Sequence, residues 1–360
     1  MLKQKTEFFR VLDANGNRAA EGFRVVEDYA RFILDDRILS SKCKQLRHSL
    51  CECLQSPSLD GMVMLRDASA DVGRTISTEL EYERSDAASI AKANLARVQQ
   101  AMRSLEEYSK PIDANLAQRC EQLRYQAYEL ELALLAAGNG MAKLQNSLLY
   151  VLIDVAGTES EFRERVARII SQPGHLRADI VQIRDKNAST RELIERCQIF
   201  RETAADSDTM LIVNDRPDIA RIAHADGVHL GQDDMTIHQA RTIVGVDCLI
   251  GVSTHNVGQV EAAIASGANY IGVGPTFRSS TKQFDAFTGV ELLQSVSEMT
   301  SIPAFAIGGI HENNLDAVIQ AGFHRVAVSA AISQADYPSD VAARIRNKLQ
   351  SARDSGGAAK

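Results

Sequence analysis

The sequence predicts an α/β protein, with a (β/α)8 TIM barrel preceded by an all-α helical domain built from a duplicated helical hairpin. Three observations predict this class. In the first part of the chain, apolar residues recur at intervals of three and four, as in EGFRVVEDYARFIL, which is typical of amphipathic helices. After Gly138-Asn139-Gly140 the pattern changes to short β-branched runs that alternate with helical stretches. The helical part also contains an internal repeat.

The repeat relates two helical hairpins, each of about 40 residues. Duplicated hairpins pack naturally into an antiparallel bundle, so we expect one bundle formed from two copies. Between the copies, residues 62–82 form a loop long enough to suggest a function. A shift of 79 residues matches Ala14-Asn15-x-x-Arg18 to Ala93-Asn94-x-x-Arg97, Arg24 to Arg103, Glu27 to Glu106 and Tyr29 to Tyr108, and a shift of 77 matches the CxQLR motif at Cys43 to that at Cys120.

Eight short apolar runs in the second part predict eight parallel strands. They are nearly continuous in apolar residues, as strands covered on both faces are. Eight βα units in about 200 residues favour a closed barrel over a doubly wound open sheet, which rarely needs eight units. The predicted strands are SLLYVLID, DIVQIRDK, TMLIVND, GVHLG, CLIGVSTH, YIGVGP, PAFAIGGI and RVAVSAAI.

These patterns predict the domain bounds. Residues 1–137 form the all-α domain, residues 138–142 a linker, and residues 143–350 the barrel. The last ten residues, SARDSGGAAK at 351–360, have the composition of a disordered tail.

Composition indicates a globular cytoplasmic protein. Apolar residues make up 45% and charged residues 24% of the 360 residues. The net charge of −7 argues against nucleic-acid binding, and no apolar run approaches the roughly 20 residues of a membrane span. The N-terminal MLKQKTEFFR lacks the apolar core of a secretion signal. Among six cysteines, Cys51 and Cys53 form a CxC pair with no second pair at zinc-like spacing, so we expect reduced thiols.

Charged side chains gather where the predicted strands end, which is where a (β/α)8 barrel carries its chemistry. Alternation brings Gln182, Arg184 and Lys186 of QIRDK to one side, and Lys282 ends the loop after strand six. These cations suit a diphosphate. Two carboxylates, Asp215 and Asp234, follow neighbouring strands. Beside phosphate oxygens they would repel the substrate, so a hard cation such as Mg²⁺ is expected between them.

A second anion pocket is predicted after strands seven and eight, the common phosphate position of such barrels. Gly308-Gly309 and Val328-Ser329 expose backbone N–H groups there, and the loop Ser279-Ser280-Thr281 adds hydroxyl donors. Each element alone has a structural explanation: a glycine turn, a helix cap at Asp215, or a rim ion pair of Arg184 with Asp185. Their occurrence together at successive strand ends favours a functional site.

From about Leu144 to Ser333, the motifs QIRDK, NDRPDIA, DGVHLGQDD, GVSTH, YIGVGPTFRSSTK, AIGGI and VAVSAAI resemble those of the thiamine phosphate synthase family. The resemblance implies a (β/α)8 barrel and a Mg²⁺-dependent condensation of hydroxymethylpyrimidine diphosphate with hydroxyethylthiazole phosphate. Diphosphate would leave first, in a dissociative step, and the thiazole nitrogen would then attack without an activating base. Ser279 departs from the threonine frequent in the family but keeps the hydroxyl.

The resemblance also implies a role for each matching residue. Lys186, Arg184, Lys282 and Ser253 would be catalytic. Gln182, Arg184, Lys186, Asn214, Ser253 and Lys282 would hold the pyrimidine diphosphate. Asp215 and Asp234 would bind Mg²⁺, and Ser279, Ser280, Thr281, Gly309, Val328 and Ser329 would hold the thiazole phosphate. His255 is expected to be a packed rim residue rather than a catalytic one.

The N-terminal part resembles a small helical family of hydroxymethylpyrimidine monophosphate kinases. The motifs LDANGNRAAEGFRVVEDYARF, QLRH, RDASADVG and ANLARVQQAMRSLEEY, between about Lys5 and Ala137, carry this resemblance. It implies ATP as a substrate, although no Walker-type loop is present. Candidate phosphate ligands are Arg18, Arg24, Arg97 and Arg103, and candidate Mg²⁺ ligands are Glu27, Asp28, Asp67 and Asp71; surface ion pairs at helical spacing are the alternative.

Other interpretations of both halves stay open at this point. The barrel can be a thiazole tautomerase-like relative without coupling activity, or a phosphate-binding isomerase of the kind found in tryptophan biosynthesis. The N-terminal half can be an interaction module without chemistry. The expected partners are phosphorylated small molecules, with no nucleic acid or membrane, and the sequence allows a homo-oligomer.

Overall fold

The computed structural model describes residues 2–66, 83–170, 177–278 and 288–357. Contacts divide the chain into two compact units, Met1–Leu135 and Ala136–Lys360.

The N-terminal unit is helical, as the sequence predicts. None of the helices among the described residues combines the length and the hydropathy of a membrane span. The elements of the N-terminal unit, in chain order, are α1 (Leu2–Asp28), a π-helical turn (Tyr29–Ile33), α2 (Arg37–Leu54), two 3-10 turns (Pro57–Leu59 and Met62–Leu65), α3 (Ala87–Ser109) and α4 (Ala114–Lys143). Helix α4 continues past Leu135.

Side-chain caps and glycines define how these helices start and pack. Asp36 caps α2 by accepting a hydrogen bond from Leu39 N at 2.8 Å. Asp86 and Ser89 form a capping box at the start of α3. Helices α1 and α3 approach closely at Gly22, where an added Cβ would lie 2.6 Å from Val98 Cγ2. The close packing of the first helices of the two hairpins therefore depends on a residue without a side chain.

The internal repeat has a counterpart in three dimensions. Arg47 of α2 donates through Nε to Glu27 of α1 at 2.9 Å. Arg124 of α4 donates through Nε to Glu106 of α3 at 3.0 Å. The two ion pairs join the matching positions of the two sequence copies, so the hairpins α1–α2 and α3–α4 are equivalent in structure as well as in sequence.

The second unit contains a closed barrel of eight parallel strands in sequential order, which confirms the predicted fold. Strand β1 pairs with β8 to close it, with Val151 opposite Val328. The strands are β1 (Leu149–Ile153), β2 (Ile180–Ile183), β3 (Met210–Asn214), β4 (Gly227–Leu230), β5 (Leu249–Thr254), β6 (Tyr270–Val273), β7 (Ala304–Ile307) and β8 (Val326–Val328).

Helices follow the strands and pack around the barrel. They are α5 (Glu159–Ile170), α6 (Thr190–Thr203), α7 (Pro217–Ile222), α8 (Ile237–Val244), α9 (Val257–Ala265), α10 (Gly289–Met299), α11 (Leu315–Gln320), α12 (Ala330–Ser333) and α13 (Pro338–Gly357). Alternate strand residues fill the barrel interior, because successive side chains of a strand point to opposite faces. The interior cluster consists of Leu144, which follows α4, and seven strand residues: Tyr150, Ile180, Ile212, Leu249, Tyr270, Phe305 and Ala327.

Two segments predicted to lack regular structure are helical. Residues 138–142, expected as a linker, lie inside α4. Glycine weakens a helix, but a Cβ added at Gly140 would lie 1.9 Å from Asn269 O, so close packing explains the glycine. Residues 351–357 of the expected disordered tail continue α13, where Arg353 donates to Gln145 O at 3.1 Å. The rest of the tail, 358–360, lies outside the described residues.

Candidate active site

A cavity of about 890 Å³ lies at the carboxyl ends of the barrel strands. Every predicted barrel-site residue that the structure describes lines it. The lining includes Gln182, Arg184, Lys186, Asn214, Asp215, Asp234, Ser253, Gly309, Val328 and Ser329. The remaining predicted residues, Ser279, Ser280, Thr281 and Lys282, lie outside the described residues.

The end of β2 supplies the positive side of the cavity. Arg184 follows the strand directly, and its backbone N donates to Ile153 O at 2.8 Å, which extends the pairing with β1. Lys186 comes two residues later and lines the same cavity. Asp185 accepts a hydrogen bond from Asn187 N at 2.9 Å. Alternation past the strand end therefore brings the two cations to the cavity side, as predicted.

Asp215 and Asp234 form a carboxylate pair. Asp215 has a left-handed backbone, with φ +61°, and its N donates to His229 O at 2.8 Å. Asp234 accepts from Gly231 N at 2.7 Å. Burial, followed by the adjacent Asp234 carboxyl, raises the pKa of Asp215 to about 6, against the opposing effect of Lys186 and Arg184. Helix α7 begins at Pro217 with Arg216 at its N-cap, so Asp215 is not the cap.

The donor chemistry of this pair fits Mg²⁺. The Asp234 carboxyl disfavours ionisation of Asp215, and together the two groups offer hard oxygen ligands to a cation. Among the described residues no group of three or more His, Cys, Asp or Glu side chains could hold a metal. Mg²⁺ does not require one, since it is commonly bound by one or two carboxylates together with substrate phosphates and water.

The loops after β7 and β8 form another part of the cavity wall. Gly308 and Gly309 have φ +101° and +62°, conformations that glycine adopts without strain. A Cβ added at Gly309 would lie 2.3 Å from Arg278 O. Ser329 follows β8, and its hydroxyl donates to Leu152 O at 3.2 Å. Gly308 and Gly309 after β7 and Val328 and Ser329 at the end of β8 all line the cavity.

A chain of polar side chains inside the barrel was not predicted from the sequence, apart from its two ends. Gln182 Nε2 donates to Tyr150 OH at 2.7 Å, and Tyr150 OH lies 3.2 Å from Tyr270 OH. Tyr270 OH lies 3.2 Å from His229 Nδ1, and His229 Nε2 lies 2.9 Å from Ser253 Oγ. The available signal was the presence of Tyr and His inside otherwise aliphatic strands, at positions that alternate with the outward-facing residues.

Burial controls the ionisation of this chain. It lowers the pKa of His229 to about 4, and the nearby Arg184 adds to the effect while Asp234 opposes it. Burial also raises the pKa of both Tyr150 and Tyr270 above the usual tyrosine value. All three groups are therefore neutral at physiological pH.

Two family models match the barrel and the N-terminal part of the chain separately. A family model described as thiamine monophosphate synthase matches residues 149–332. A thiamine-phosphate synthase of Rhodopirellula baltica is 39% identical over 350 residues, covering 95% of this chain and 92% of the relative. That of Nostoc punctiforme is 40% identical, covering 95% of this chain and 94% of the relative. The chain belongs to the thiamine-phosphate synthase family. It is therefore an enzyme, a transferase.

A solved structure supports the same assignment for the barrel. The thiamine phosphate pyrophosphorylase of Pyrococcus furiosus is 29% identical with a TM-score of 0.50, and the match covers 57% of this chain and 97% of that one. The names of these relatives favour a thiamine-phosphate synthase over the tautomerase-like and isomerase alternatives. A second model, the ThiD2 family, matches residues 10–133 and confirms the resemblance of the N-terminal part.

His255 lies at the rim of the thiamine-phosphate synthase cavity, as expected from its position after Ser253. Its Nδ1 is hydrogen-bonded to Gly274 O, and its backbone N donates to Gln259 Oε1 at 2.7 Å. The first contact holds the ring to the loop after β6 and the second holds the backbone to α9, which agrees with a packed rim histidine.

In the ThiD2-like unit, several candidate ligands form ion pairs at helical spacing. Arg24 lies 3.6 Å from Glu27 and 3.5 Å from Asp28. Arg103 pairs with Glu106 at 2.5 Å and with Glu107 at 2.7 Å. Arg18 and Arg97 are exposed, and Asp67 and Asp71 lie outside the described residues. The sequence did not predict the pair formed by Asp13 and Arg66, in which two hydrogen bonds of 2.7 Å join helix α1 to the residue after the second 3-10 turn.

Proposed function

We propose that the barrel condenses hydroxymethylpyrimidine diphosphate with hydroxyethylthiazole phosphate, in a Mg²⁺-dependent dissociative reaction that yields thiamine phosphate and diphosphate. One observation carries this proposal. The cation pair Arg184 and Lys186, the carboxylate pair Asp215 and Asp234, and the glycine backbone at Gly309 all line a single cavity. A condensation of two phosphorylated substrates needs two anion pockets that open into one space.

The diphosphate is assigned to the side where the cations and carboxylates meet. Arg184 and Lys186 would bind its oxygens, with Asn214 beside them, and would stabilise the charge that develops as it leaves. Asp215 and Asp234 would hold Mg²⁺, which when bound neutralises diphosphate oxygens and so improves the leaving group. Arg184 and Lys186 offset the charges of the two carboxylates, so a bound Mg²⁺ would make this pocket net positive.

An unsatisfied buried atom supports the assignment of the pyrimidine. Gln182 is buried, its Nε2 is used by Tyr150, and its Oε1 has no hydrogen-bond partner among the described residues. A buried acceptor left unpaired costs about 1–3 kcal/mol, so a ligand that supplies a donor there binds more strongly. The amino group of an aminopyrimidine is such a donor. The buried, neutral Tyr150 and Tyr270 also belong to the wall of this cavity.

The thiazole phosphate is assigned to the loops after β7 and β8. The backbone N–H groups near Gly309 and Ser329 would bind its phosphate, as in other barrels of this type. Residues 279–281, with their hydroxyl groups, are proposed to complete this pocket. The thiazole nitrogen already carries a lone pair, so the attack on the pyrimidine CH₂ needs no general base from the protein.

The carboxylate assignment is tested by replacing Asp215. We expect Asp215→Asn to abolish Mg²⁺-dependent coupling while the circular dichroism spectrum and the unfolding midpoint stay near those of the parent chain. Asp218→Asn is the matched control, since Asp218 lies on α7 and pairs with Arg216 at 2.6 Å. Full coupling activity in the Asp215 variant would rule out the metal assignment.

We further propose that the N-terminal unit phosphorylates hydroxymethylpyrimidine monophosphate with ATP, which would supply the diphosphate that the barrel consumes. The match of residues 10–133 to the ThiD2 family supports this proposal. The test supplies the full-length protein with the monophosphate, thiazole phosphate and Mg²⁺. Thiamine phosphate formed only when ATP is added supports the kinase assignment. Product from the diphosphate alone, with none from monophosphate and ATP, would contradict it.

A further inference from the structure

The hydrogen bonds of the polar chain inside the barrel all run in one donor-to-acceptor direction, because each hydroxyl group carries a single hydrogen. Gln182 Nε2 donates to Tyr150 OH, which leaves Tyr270 OH, 3.2 Å away, as the one remaining partner among the described residues for the Tyr150 hydrogen. Tyr270 OH is then an acceptor, and its own hydrogen points to His229 Nδ1 at 3.2 Å. The donor at Gln182 on β2 thus determines the direction of the hydrogen bond at His229 on β4.

The direction determines which imidazole nitrogen carries the proton. His229 Nδ1 accepts from Tyr270 and therefore carries no hydrogen, so the N–H of the imidazole ring lies on Nε2. This N–H donates to Ser253 Oγ at 2.9 Å. With its oxygen occupied as an acceptor by His229, the Ser253 hydroxyl keeps its own hydrogen for another partner.

We propose that Tyr150, Tyr270 and His229 act together as positioning residues that fix His229 in the Nε2–H tautomer and so present the Ser253 hydroxyl to the cavity as a hydrogen-bond donor. This inference rests on the proposed function for its substrate. It adds that the pyrimidine diphosphate presents an acceptor atom, a ring nitrogen or a phosphate oxygen, to Ser253. The same series of hydrogen bonds leaves Gln182 Oε1 as an acceptor. The cavity is therefore offered one acceptor, at Gln182, and one donor, at Ser253.

The opposite direction would give a chemically different site. It requires Gln182 to accept from Tyr150, and it ends with the Ser253 hydrogen donated to His229 Nε2. In that case Ser253 presents only oxygen lone pairs to the cavity, and His229 is the Nδ1–H tautomer. The tautomer of one histidine therefore distinguishes the two directions.

The test measures imidazole ¹⁵N chemical shifts in the full-length protein labelled with ¹⁵N-histidine at neutral pH. The chain has eight histidines, and the signals of His229 are identified by their loss in His229→Gln. We expect the Nε2–H tautomer in the parent chain. Tyr270→Phe removes the donor to Nδ1 and should produce a mixture of tautomers. Phe305→Leu, a purely apolar change in the same core cluster, should leave the tautomer unchanged. An Nδ1–H tautomer in the parent chain would overturn the proposal.

Kinetics test whether the chain acts through Ser253. Ser253→Ala and Tyr270→Phe should each raise the KM for the pyrimidine diphosphate about tenfold, corresponding to about 1.4 kcal/mol, and change kcat less. In the Ser253→Ala background, Tyr270→Phe should add no further increase in KM. Independent, additive effects would overturn the link to Ser253. The tautomer measurement needs no turnover, so a failure of this inference is distinguishable from a failure of the proposed coupling activity.

Discussion

Arg124 donates through Nε to Glu106 at 3.0 Å, with both side chains at most a tenth exposed. The equivalent pair of the first hairpin, Arg47 and Glu27, has nearly the same length of 2.9 Å, but Arg47 is 23% exposed. Lys110 and Arg103 add two further cations beside Glu106. The same cross-helix Arg–Glu ion pair is thus present in both hairpins, and it is more deeply buried in the second.

This difference in burial predicts a difference in stability. Removing one partner of a buried ion pair leaves an uncompensated charge, which costs about 3 kcal/mol when no other partner is present. We expect Arg124→Met to lower the free energy of unfolding by about 2 kcal/mol, since Arg103 and Lys110 retain part of the compensation. Arg47→Met should cost about half as much. Urea unfolding followed by circular dichroism measures both, and equal effects of the two variants would contradict the prediction.

The packing around Gly309 predicts a specific effect on one substrate. A Cβ at this position would lie 2.3 Å from Arg278 O and 2.8 Å from Phe277 O, so Gly309→Ala must displace the loop after β6 or β7. We expect the KM for thiazole phosphate to rise at least about tenfold, corresponding to about 1.4 kcal/mol of lost binding. The measurement is steady-state kinetics with varied thiazole phosphate.

Gly245→Ala provides the control for backbone strain. Gly245 also has a positive φ, of +81°, but an added Cβ meets no described atom within 4 Å. It ends α8, and it is not among the residues that line the cavity. This variant should lose stability without a change in the KM for thiazole phosphate. A similar rise in KM for both variants would show that strain, rather than the position of Gly309, controls binding.

Burial of His229 predicts a pH dependence of stability. The pKa of His229 is lowered from 6.5 to about 4 in the folded protein, so the unfolded chain binds more protons between these values. The contribution of the neutral, buried His229 to the free energy of unfolding is fully present above about pH 6.5 and is lost as the pH falls toward 4. Between pH 7 and pH 5 the loss should be about 2 kcal/mol. His229→Gln lacks this titration, so urea midpoints of parent and variant should converge with acidification; a constant difference would contradict the assignment.

Buried cysteines should be unreactive in the folded protein. Burial raises the pKa of Cys43, Cys120 and Cys197 to about 12, and the thiolate is the reactive form. We expect these three thiols to resist a disulfide reagent at pH 8 and to react fully in denaturant. Mass spectrometry of the labelled peptides measures this. Rapid native labelling of any of the three would contradict their burial.

Much of the fold follows from local patterns in the sequence. The eight apolar runs after residue 143 correspond to the eight strands, because a strand buried on both faces excludes polar residues over its whole length. The repeat at Glu27 and Glu106 corresponds to equivalent ion pairs with Arg24 and Arg103, because the same spacing on a helix gives the same neighbours. The helical course of residues 138–142 was missed, since the reason for Gly140 is a contact with Asn269, which is distant in sequence.

The candidate site was predictable where strand order alone determines position. Consecutive parallel strands bring Arg184, Asp215 and Asp234 to the same end of a barrel whatever their side-chain conformations. The links from Tyr150 through Tyr270 to His229 were not predictable in this way. They depend on how far side chains reach across the barrel interior, from β1 to β6 and from β6 to β4, and therefore on the register and tilt of strands far apart in sequence.

The most direct test of the account supplies the purified full-length protein with hydroxymethylpyrimidine diphosphate and hydroxyethylthiazole phosphate, without ATP, and measures thiamine phosphate and diphosphate by chromatography. Parallel reactions contain Mg²⁺ or an excess of chelator. We expect both products in equal amounts with Mg²⁺ and loss of both with the chelator, restored when Mg²⁺ is added back. No thiamine phosphate in the presence of Mg²⁺ and both substrates would contradict the proposed condensation.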